Sequence, residues 1–338
     1  MTLRFTDSFD YYGTAQLPLF YDFMQGAGYQ ASAIAGGRFA SGLQLAGYVG
    51  KTLDYQTTWI VGAAFNNRAG RLLTLGDDYA VQCGVAVDGL GRLYVFRGWS
   101  VDITNADGTA FPIAILATGS TLIGTGWHYI EFKATIGATG SYEVRVDGLT
   151  YLSGSGVNTQ QSANARANRV QIGLNSLGIS VDDVYICDGT GTANNNFLGD
   201  VRVQALMPSA DGDLSQLTPS TGTTHYNLVD EVPPDGDTSY VSGATAGNVD
   251  LYQLGDVAAV SGSILGVAVY SFARKDDAGT RTIANVIKTG GVEYDGPAQA
   301  LSMSYTYFTE HWETNPATGL PWTIADVNAL QAGVKVVA

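Results

Sequence analysis

The stretch from Thr125 to Leu152 reads with a period of two in each of its halves, and this pattern limits what the chain can fold into. In the first half, five side chains share one face of a strand: His128, Ile130, Phe132, Ala134 and Ile136. Five others share the opposite face: Trp127, Tyr129, Glu131, Lys133 and Thr135. A period of two is the repeat of an extended strand and does not fit a helix.

The second half of this stretch predicts a hairpin and the start of a third strand. Residues 137–140, with two glycines, break the first strand, and alternation resumes from Tyr142 to Val146. Asp147-Gly148 is a strong signal for a two-residue turn, and residues 149–152 begin the next strand. An antiparallel meander is therefore predicted at the centre of an all-β protein.

The predicted pairing also places charges opposite one another. Glu131 and Lys133 face Arg145 and Glu143 across the hairpin. Because these four residues share a face, we expect that face to be solvated while the other packs on a core.

Three motifs in the first half of the chain resemble those of laminin G-like, or concanavalin A-like, jelly rolls. They are Trp127-His128 at the opening of a strand, Val146-Asp147-Gly148 at a strand end, and the Asp-Asp-Val-Tyr stretch at residues 182–185. Phe9-Asp10 corresponds to a pair near the start of those modules. The resemblance implies two antiparallel sheets packed face to face. It implies little about function, because this fold hosts lectins, glucanases and purely structural modules.

Length and composition set further limits. A chain of 338 residues predicts two domains, and 43 glycines suit many short strands joined by tight turns. The formal net charge of −14 argues against nucleic acid and anionic membranes as partners. Cys83 and Cys187 lie in apolar runs, where buried free thiols are favoured over a disulfide, although the spacing does not decide. No leader or membrane span is predicted, so we expect a soluble protein made in a cytosol.

The domain boundary is predicted at Gly189–Asn196, a small, polar and uncharged stretch between two apolar blocks. This gives a laminin G-like β-sandwich over residues 1–190 and a β-rich, sandwich-like domain over residues 197–338. Within the first domain, the apolar phase shifts across Asp182-Asp183, which predicts a β-bulge.

The second domain is predicted to contain strands and one short helix. The strands cover Ile264–Ala273, Thr280–Lys288, Leu301–Phe308 and, at the end of the chain, Val334–Val337. Thr323-Ile324-Ala325-Asp326 is close to a capping box, so the helix should run from Thr323 to Leu330. The apolar final segment, residues 334–338, is either part of its own sheet or a docking edge; we expect docking to neighbouring subunits or to a virion.

Three stretches of this second half resemble bacteriophage virion proteins. They cover Phe197–Val241, Phe272–Ile283 and Tyr305–Val336. The resemblance implies a non-enzymatic structural component of the virion, on the capsid surface or in the tail. It also implies other virion proteins as partners, a homo-oligomer, and the virion as the location after assembly in the host cytoplasm.

Motifs that would carry catalysis or bind a metal are missing from the sequence. No zinc spacing, P-loop, His-Glu-x-x-His or Gly-x-Ser-x-Gly motif occurs. Asp102, Asn105 and Asp107 form an Asx-rich turn without the glutamate of a calcium loop. We therefore expect no metal, no cofactor and no catalytic residue.

Two functional alternatives remain open. Glu310-His311-Trp312-Glu313 is a weak candidate for a glycan hydrolase site, while His128 and His225 are more typical of structural histidines. A lectin-like module that recognises host glycans could use loop aromatics, although packing is the more common role of such residues. The candidates are Tyr11, Tyr12, Tyr21, Tyr29 and Trp99.

Overall fold

The structure is a computed structural model that describes residues 2–24, 34–45, 47–66, 70–104, 110–173, 179–258 and 261–338. It divides into two compact units, Met1–Val203 and Gln204–Ala338. The stretch predicted as a linker, Gly189–Asn196, lies within the first unit, where Lys133 Nζ donates a hydrogen bond to Asn196 Oδ1 (3.1 Å).

The regular secondary structure of the first unit consists almost entirely of strands. They are β1 (Leu3–Asp7), β2 (Phe23–Met24), β3 (Ile34–Gly36), β4 (Ser41–Leu45), β5 (Val49–Gln56), β6 (Thr58–Asn66), β7 (Gly70–Asp77), β8 (Ala80–Val87), β9 (Leu93–Thr104), β10 (Ala110–Thr118), β11 (Trp127–Thr135), β12 (Gly140–Val146), β13 (Leu149–Val157), β14 (Ala167–Ile172) and β15 (Ile179–Asp188). A 3-10 turn (Thr14–Gln16) and a one-turn helix, α1 (Leu17–Phe20), follow β1.

These strands form two antiparallel sheets, as the jelly-roll resemblance implies. The first sheet has the order β13-β12-β11-β6-β15-β4-β3, with β1 also paired to β15. The second sheet has the order β10-β9-β8-β7-β14-β5-β2. The predicted all-β sandwich is confirmed.

The core of this unit is centred on β6, whose residues from Trp59 to Phe65 are all buried. Apolar side chains on both faces of β6 are explained by its position inside the first sheet, between β11 and β15. Trp59 is fully buried, and its indole Nε1 donates a hydrogen bond to the Ala167 carbonyl on β14 of the second sheet (2.9 Å). That bond satisfies the only polar atom of this large core side chain.

The hairpin of β11 and β12 has the predicted register. Glu131 lies opposite Arg145 and Lys133 opposite Glu143. Asp147 and Gly148 form the next turn, with φ values of 50° and 79° that glycine and aspartate adopt more readily than most residues.

The predicted solvated face holds at Lys133, Glu143 and Arg145, which are partly exposed, but it is wrong at Tyr129 and Glu131, which are fully buried. Residues 197–203, which we call the strap, lie on this face of the first sheet. Phe197, Leu198 and Val201 of the strap pack on the apolar cluster that contains Tyr129. The strap follows β11 by about 60 positions in the sequence, so the local alternation gave no sign of it.

Hydrogen bonds fix the strap to buried carboxylates. Glu131 Oε1 accepts hydrogen bonds from the Tyr185 hydroxyl (2.5 Å) and from the backbone N–H of Gly199 (2.8 Å). Asp183 Oδ1 accepts one from the N–H of Val203 (2.8 Å). Charge-assisted bonds of this kind are stronger than neutral ones, so the strap belongs firmly to the first unit.

The bulge predicted at Asp182-Asp183 is confirmed by a register shift between β15 and β6 after Asp182. Asp183 has φ = 52°, and both carboxyls are almost completely buried. Burial raises the pKa of Asp182 to about 6. Burial, together with the neighbouring charge of Asp182, raises the pKa of Asp183 to about 7.

The second unit is also built from antiparallel strands. They are β16 (Pro208–Ser215), β17 (Thr218–Pro219), β18 (Val241–Ser242), β19 (Val249–Leu254), β20 (Val267–Ala273), β21 (Thr282–Thr289), β22 (Val292–Asp295), β23 (Gln299–Ala300), β24 (Thr306–Trp312) and β25 (Gln331–Val336). The main sheet has the order β16-β19-β25-β21-β22, with β23 paired to β21, and β17-β18 and β20-β24 form two separate ribbons.

The predicted helix is confirmed in shortened form as α2 (Ile324–Asn328). Thr323 and Asp326 form the expected capping box, with reciprocal hydrogen bonds of 2.9 and 3.1 Å. The strand predicted from Leu301 begins only at Thr306. Ser302 and Ser304 form a turn before it, with the Ser302 hydroxyl donating to the Ser304 carbonyl (2.7 Å).

The end of the chain is part of its own sheet. β25 pairs with β19 on one side and with β21 on the other. The alternative of a docking edge is therefore wrong for residues 334–336, because their backbone groups already face two neighbouring strands.

The state of the cysteines and the search for membrane-spanning helices can also be compared with the sequence predictions. Cys83 and Cys187 are free and buried, as favoured. In the described ranges, no helix has the length and apolar character needed to cross a membrane.

Candidate ligand-binding cleft

A cleft lies on the outer face of the second sheet, where side chains alternate away from the core. On β7, Leu73 and Leu75 point into the sandwich and are fully buried. A register shift between Arg71 and Leu73 interrupts this alternation. Arg71 then pairs with Ala86, and Thr74 with Gly84, two positions apart on β8, so Arg71 and Thr74 share the outer face.

Aromatic rings lie flat on this face because glycines sit beneath them. Phe96 on β9 is paired with Gly84, where a Cβ would come within 2.6 Å of the Phe96 ring. Likewise, a Cβ on Gly50 would collide with the ring of Phe23. Trp99 packs edge-to-face on Phe96, with ring centroids 5.2 Å apart. A residue larger than glycine at either position would displace the ring above it.

Arg71 is the main charged group of the cleft. Its guanidinium carbon lies 4.3 Å from the Trp99 ring centroid, and the residue is only 6% exposed. Its Nε has no hydrogen-bond partner, and no carboxylate in the described part of the chain lies within ion-pair distance. Burial lowers the pKa of Arg71 to about 10, against a smaller opposing effect of the Tyr48 and Tyr94 phenols.

Two uncharged polar atoms in the cleft also lack hydrogen bonds. Thr74 Oγ1 and Gln161 Oε1 are buried without a partner in the described ranges. Buried polar atoms are normally bonded, so unpaired ones that line a cleft are free to bond a ligand or water.

The loop that carries Gln161 is held rigidly by Gln82 on β8. Gln82 Oε1 accepts a hydrogen bond from the Gln161 N–H (2.6 Å), and its Nε2 donates to the carbonyls of Asn164 and Arg166 (both 2.8 Å). Asp77 Oδ2 accepts a further bond from the Ser162 hydroxyl (2.7 Å). Gln161 is therefore positioned before any ligand arrives.

A second, smaller hollow continues the cleft along the sheet. The two hollows measure about 450 and 160 Å³, and both are lined by Tyr48, Tyr79 and Gln171. At the rim of the smaller one, the Arg169 guanidinium lies 3.6 Å from the Phe23 centroid and 5.0 Å from that of Tyr79. Tyr79 is 93% exposed, so its ring is available to a ligand.

The charge of the cleft is opposite to that of the whole molecule. Arg71 and Arg169 line it, and Asp78 is the one carboxylate among its described lining residues. The chain as a whole has a net charge of −14. The local excess of positive charge is therefore a property of this face.

The structure separates the aromatic residues that the sequence suggested as sugar-binding. Trp99 lies in the cleft. Tyr12 and Tyr21 are buried, and their hydroxyls donate hydrogen bonds to Asp7 Oδ2 (2.7 and 2.9 Å). Tyr11 packs edge-to-face on Phe20, and Tyr29 lies outside the described residues.

The weak hydrolase candidate does not form a pair of carboxylates on a strand. Glu310 and His311 lie on β24 of the second unit, and Glu313 follows its last residue. His311 is buried with its ring 6.4 Å from that of Tyr270, in an edge-to-face arrangement.

The other histidines pair with aspartates. His128 Nδ1 lies 2.7 Å from Asp147 Oδ2, and the buried His225 Nδ1 lies 2.6 Å from Asp250 Oδ2. In the described ranges, no group of three histidine, cysteine or acidic residues could hold a metal ion. Asn105 and Asp107 of the predicted Asx turn lie outside those ranges.

Sequence reasoning missed most of the cleft, including Arg71, Tyr48, Thr74 and Gln161. One signal was available: Arg71 opens the apolar run Arg-Leu-Leu-Thr-Leu, where a buried charge is unusual. The direction of the Arg71 side chain depends on the register shift after Arg71, and no residue in this run predicts that shift.

No protein-family model and no curated protein matches this chain. Solved structures do match it. A glucuronan lyase from the fungus Trichoderma reesei is 14% identical with a TM-score of 0.39, covering 55% of this chain and 96% of that one. An alginate lyase is 11% identical with a TM-score of 0.34, covering 54% and 95%. A tetrameric galectin from the sponge Cinachyrella sp. is 13% identical with a TM-score of 0.29, covering 40% and 96%.

These matches agree with the jelly-roll sandwich and contradict two predictions. The sequence predicts a non-enzymatic structural component of a virion, whereas the first two matches are polysaccharide lyases, which are enzymes. None of the three proteins is described as part of a virion. The two predictions that are corrected are the function as a virion component and the absence of an enzymatic activity. Likeness this distant concerns the fold alone, so the side chains of the cleft must indicate what the chain does.

Proposed function

We propose that the first unit binds a polysaccharide in the cleft on its second sheet. The observation that carries this proposal is the convergence of Trp99 with polar atoms that lack partners, on Arg71, Thr74 and Gln161. Sugars present apolar C–H faces that pack on aromatic rings, and hydroxyls that donate and accept hydrogen bonds. A cleft with both kinds of group suits such a ligand.

The shape of the cleft supports a chain rather than a single sugar. Its two hollows share lining residues, so a ligand can extend from Trp99 and Arg71 towards Tyr79 and Arg169. Arg71, Trp99 and Arg169 lie on β7, β9 and β14 of one sheet, which holds them at fixed spacing.

Titration of polysaccharides identified on a glycan array would test binding. Trp99→Leu removes the aromatic face and should weaken binding at least about 10-fold, because stacked aromatics are commonly hot spots. Trp127→Leu is the matched control, since Trp127 lies on the first sheet. If no glycan on the array binds, or if both variants bind as the wild type does, the proposal is wrong.

Cleavage of the bound chain is a second candidate, favoured by the phenols beside Arg71. Tyr48 and Tyr94 lie close enough to Arg71 for their charges to affect its pKa. Elimination breaks a glycosidic bond by taking a proton from a carbon of the sugar ring and giving one to the leaving oxygen, and a phenol can serve in both proton transfers. Hydrolysis by two facing carboxylates is not supported, because Asp78 is the one acidic residue among the described lining residues.

The length of the polymer after incubation with the protein distinguishes cleavage from binding alone. Wild-type protein should shorten a polysaccharide that it binds, and Tyr48→Phe should bind it but cleave at least about 100-fold more slowly. Tyr240→Phe, in the second unit, is the control. If the wild type leaves every bound polymer intact, cleavage is rejected and the binding proposal stands.

A further inference from the structure

We propose that the saccharide bound in this cleft carries an oxyanion, a carboxylate or a sulfate ester, and that Arg71 is its counter-ion. This inference rests on the proposed function and adds the chemical class of the ligand. It does not depend on whether the ligand is cleaved.

The first argument is the contrast between Arg71 and four more exposed arginines of the first unit. Arg71 is the one arginine among the buried polar residues of the described ranges. Arg4, Arg38, Arg92 and Arg145 are more exposed, yet each forms an ion pair with a carboxylate. The arginine that most needs a counter-ion is thus one that has none.

The second argument concerns the cost of this arrangement. A buried cation without a partner is destabilising, because it has lost its hydration and gained no opposite charge. The face of Trp99 compensates only in part. An anionic group on a ligand would supply the missing charge at Arg71, whereas a neutral sugar would leave the cation uncompensated and remove its remaining water.

The third argument excludes non-specific attraction. A protein with a net charge of −14 repels a polyanion at long range. Binding of an anionic glycan by this protein must therefore come from a local contact, and the cleft offers one at Arg71. Because salt screens the long-range repulsion more than a buried pair, added salt should weaken this binding little.

The structure also provides a control for the charge and the stacking of Arg71. The guanidinium carbon of Arg202 lies 4.5 Å from the Phe39 ring centroid, a geometry close to that of Arg71 on Trp99. Arg202 is exposed and does not line the cleft. Replacing it removes an equal charge from an equal stacking contact at a different place.

The experiment uses the full chain and an array of polysaccharides in three groups: neutral, carboxylated and sulfated. Each carboxylated polymer is paired with its carboxyl-reduced, neutral form. Arg71→Gln and Arg202→Gln are titrated with the tightest ligand, and thermal unfolding verifies that both variants are folded.

The wild type should bind a carboxylated or a sulfated polymer, and the group it prefers identifies the oxyanion. Carboxyl reduction should remove binding if the anion is a carboxylate. Arg71→Gln should lose at least about 30-fold in affinity, as expected for a desolvated charge pair that loses one partner, while Arg202→Gln should stay within about twofold.

Two other outcomes separate this inference from the proposal on which it rests. If the tightest ligand is neutral and Arg71→Gln binds it as the wild type does, the oxyanion is wrong and the glycan cleft stands. If no polysaccharide binds, the glycan cleft is wrong, and this inference falls with it.

Discussion

The two outer faces of the first unit differ in how much of the chain contacts their buried charge. On the first sheet, the strap covers Glu131, and Tyr185 and Gly199 donate hydrogen bonds to its Oε1. On the second sheet, no chain segment in the described ranges pairs with Arg71. On the covered face, the chain's own groups bond one oxygen of the carboxylate, Oε1, while Oε2 has no hydrogen-bond partner in the described ranges. The open face keeps its charge available, which is what a binding surface requires.

Removal of Glu131 should have the largest effect on stability. Glu131→Ala leaves the Tyr185 hydroxyl and the Gly199 N–H without their acceptor and creates a cavity under the strap, so we expect a loss of about 3 kcal/mol in the free energy of unfolding. Scanning calorimetry of the full chain would measure this loss in the transition of the first unit.

Glu143→Ala is the control for that measurement. Glu143 lies on the neighbouring strand in a half-exposed pair with Arg145, and its loss should cost less than about 1 kcal/mol. Equal losses in the two variants would mean that the strap does not seal the covered face.

Asp183 should give the covered face a distinct dependence on pH. Burial raises its pKa to about 7 in the folded state, whereas the unfolded chain gives it the ordinary aspartate pKa of 3.8, so folding favours the protonated form. Its contribution to stability is fully present below about pH 4 and is lost as the pH rises through 7.

The variant Asp183→Asn removes this contribution together with the repulsion between Asp183 and Asp182, while its amide still offers an oxygen to the N–H of Val203. The stability of the wild type relative to Asp183→Asn should fall by on the order of 2 kcal/mol between pH 4 and pH 8. Denaturant titrations at both pH values would measure it. If the difference in stability between the wild type and Asp183→Asn is the same at both pH values, the charged form of Asp183 does not destabilise the fold.

The open face should respond to mutation in the opposite direction. Arg71→Met removes an unpaired buried cation and keeps an apolar stem against Trp99, so the ligand-free protein should gain about 1–2 kcal/mol in stability. The same variant should lose glycan affinity. Thermal unfolding without ligand provides the measurement, and a loss of stability comparable to that of Glu131→Ala would remove the contrast between the two faces.

The smallest effect on stability is expected at Tyr79. Because this residue is 93% exposed, Tyr79→Ala should change the free energy of unfolding by less than about 0.5 kcal/mol. It should still weaken glycan binding, since the ring lies on the cleft. Unchanged affinity would limit the binding surface to the larger hollow around Trp99.

A structural feature can be predicted from the sequence when the residues that determine it are close to one another in the sequence. The hairpin of β11 and β12, its register and the capping box of α2 follow from neighbouring residues, and all three are confirmed. The burial of Glu131 does not, because it depends on strap residues about 60 positions away. Local patterns specify the direction of a side chain but not what covers it.

The same limit explains why the cleft was found only in part. Trp99 is recognisable as an aromatic candidate, but Arg71 reaches the outer face through the register shift between Arg71 and Leu73. Gly84 and Gly50 read as ordinary strand glycines until the rings of Phe96 and Phe23 are seen above them. The resemblance of the second half to virion proteins gave the wrong function, and the oligomer and location it implies stay predictions.

The position of β25 has a consequence for the order in which the chain folds during synthesis. All strands of the first unit precede residue 189, so its sandwich can assemble while the ribosome is still translating the second unit. The main sheet of the second unit cannot join β19 to β21 until residues 331–336 have left the exit tunnel. Until then, both strands expose unpaired edges, and a chain terminated between β21 and β25 would keep a folded first unit attached to an aggregation-prone tail.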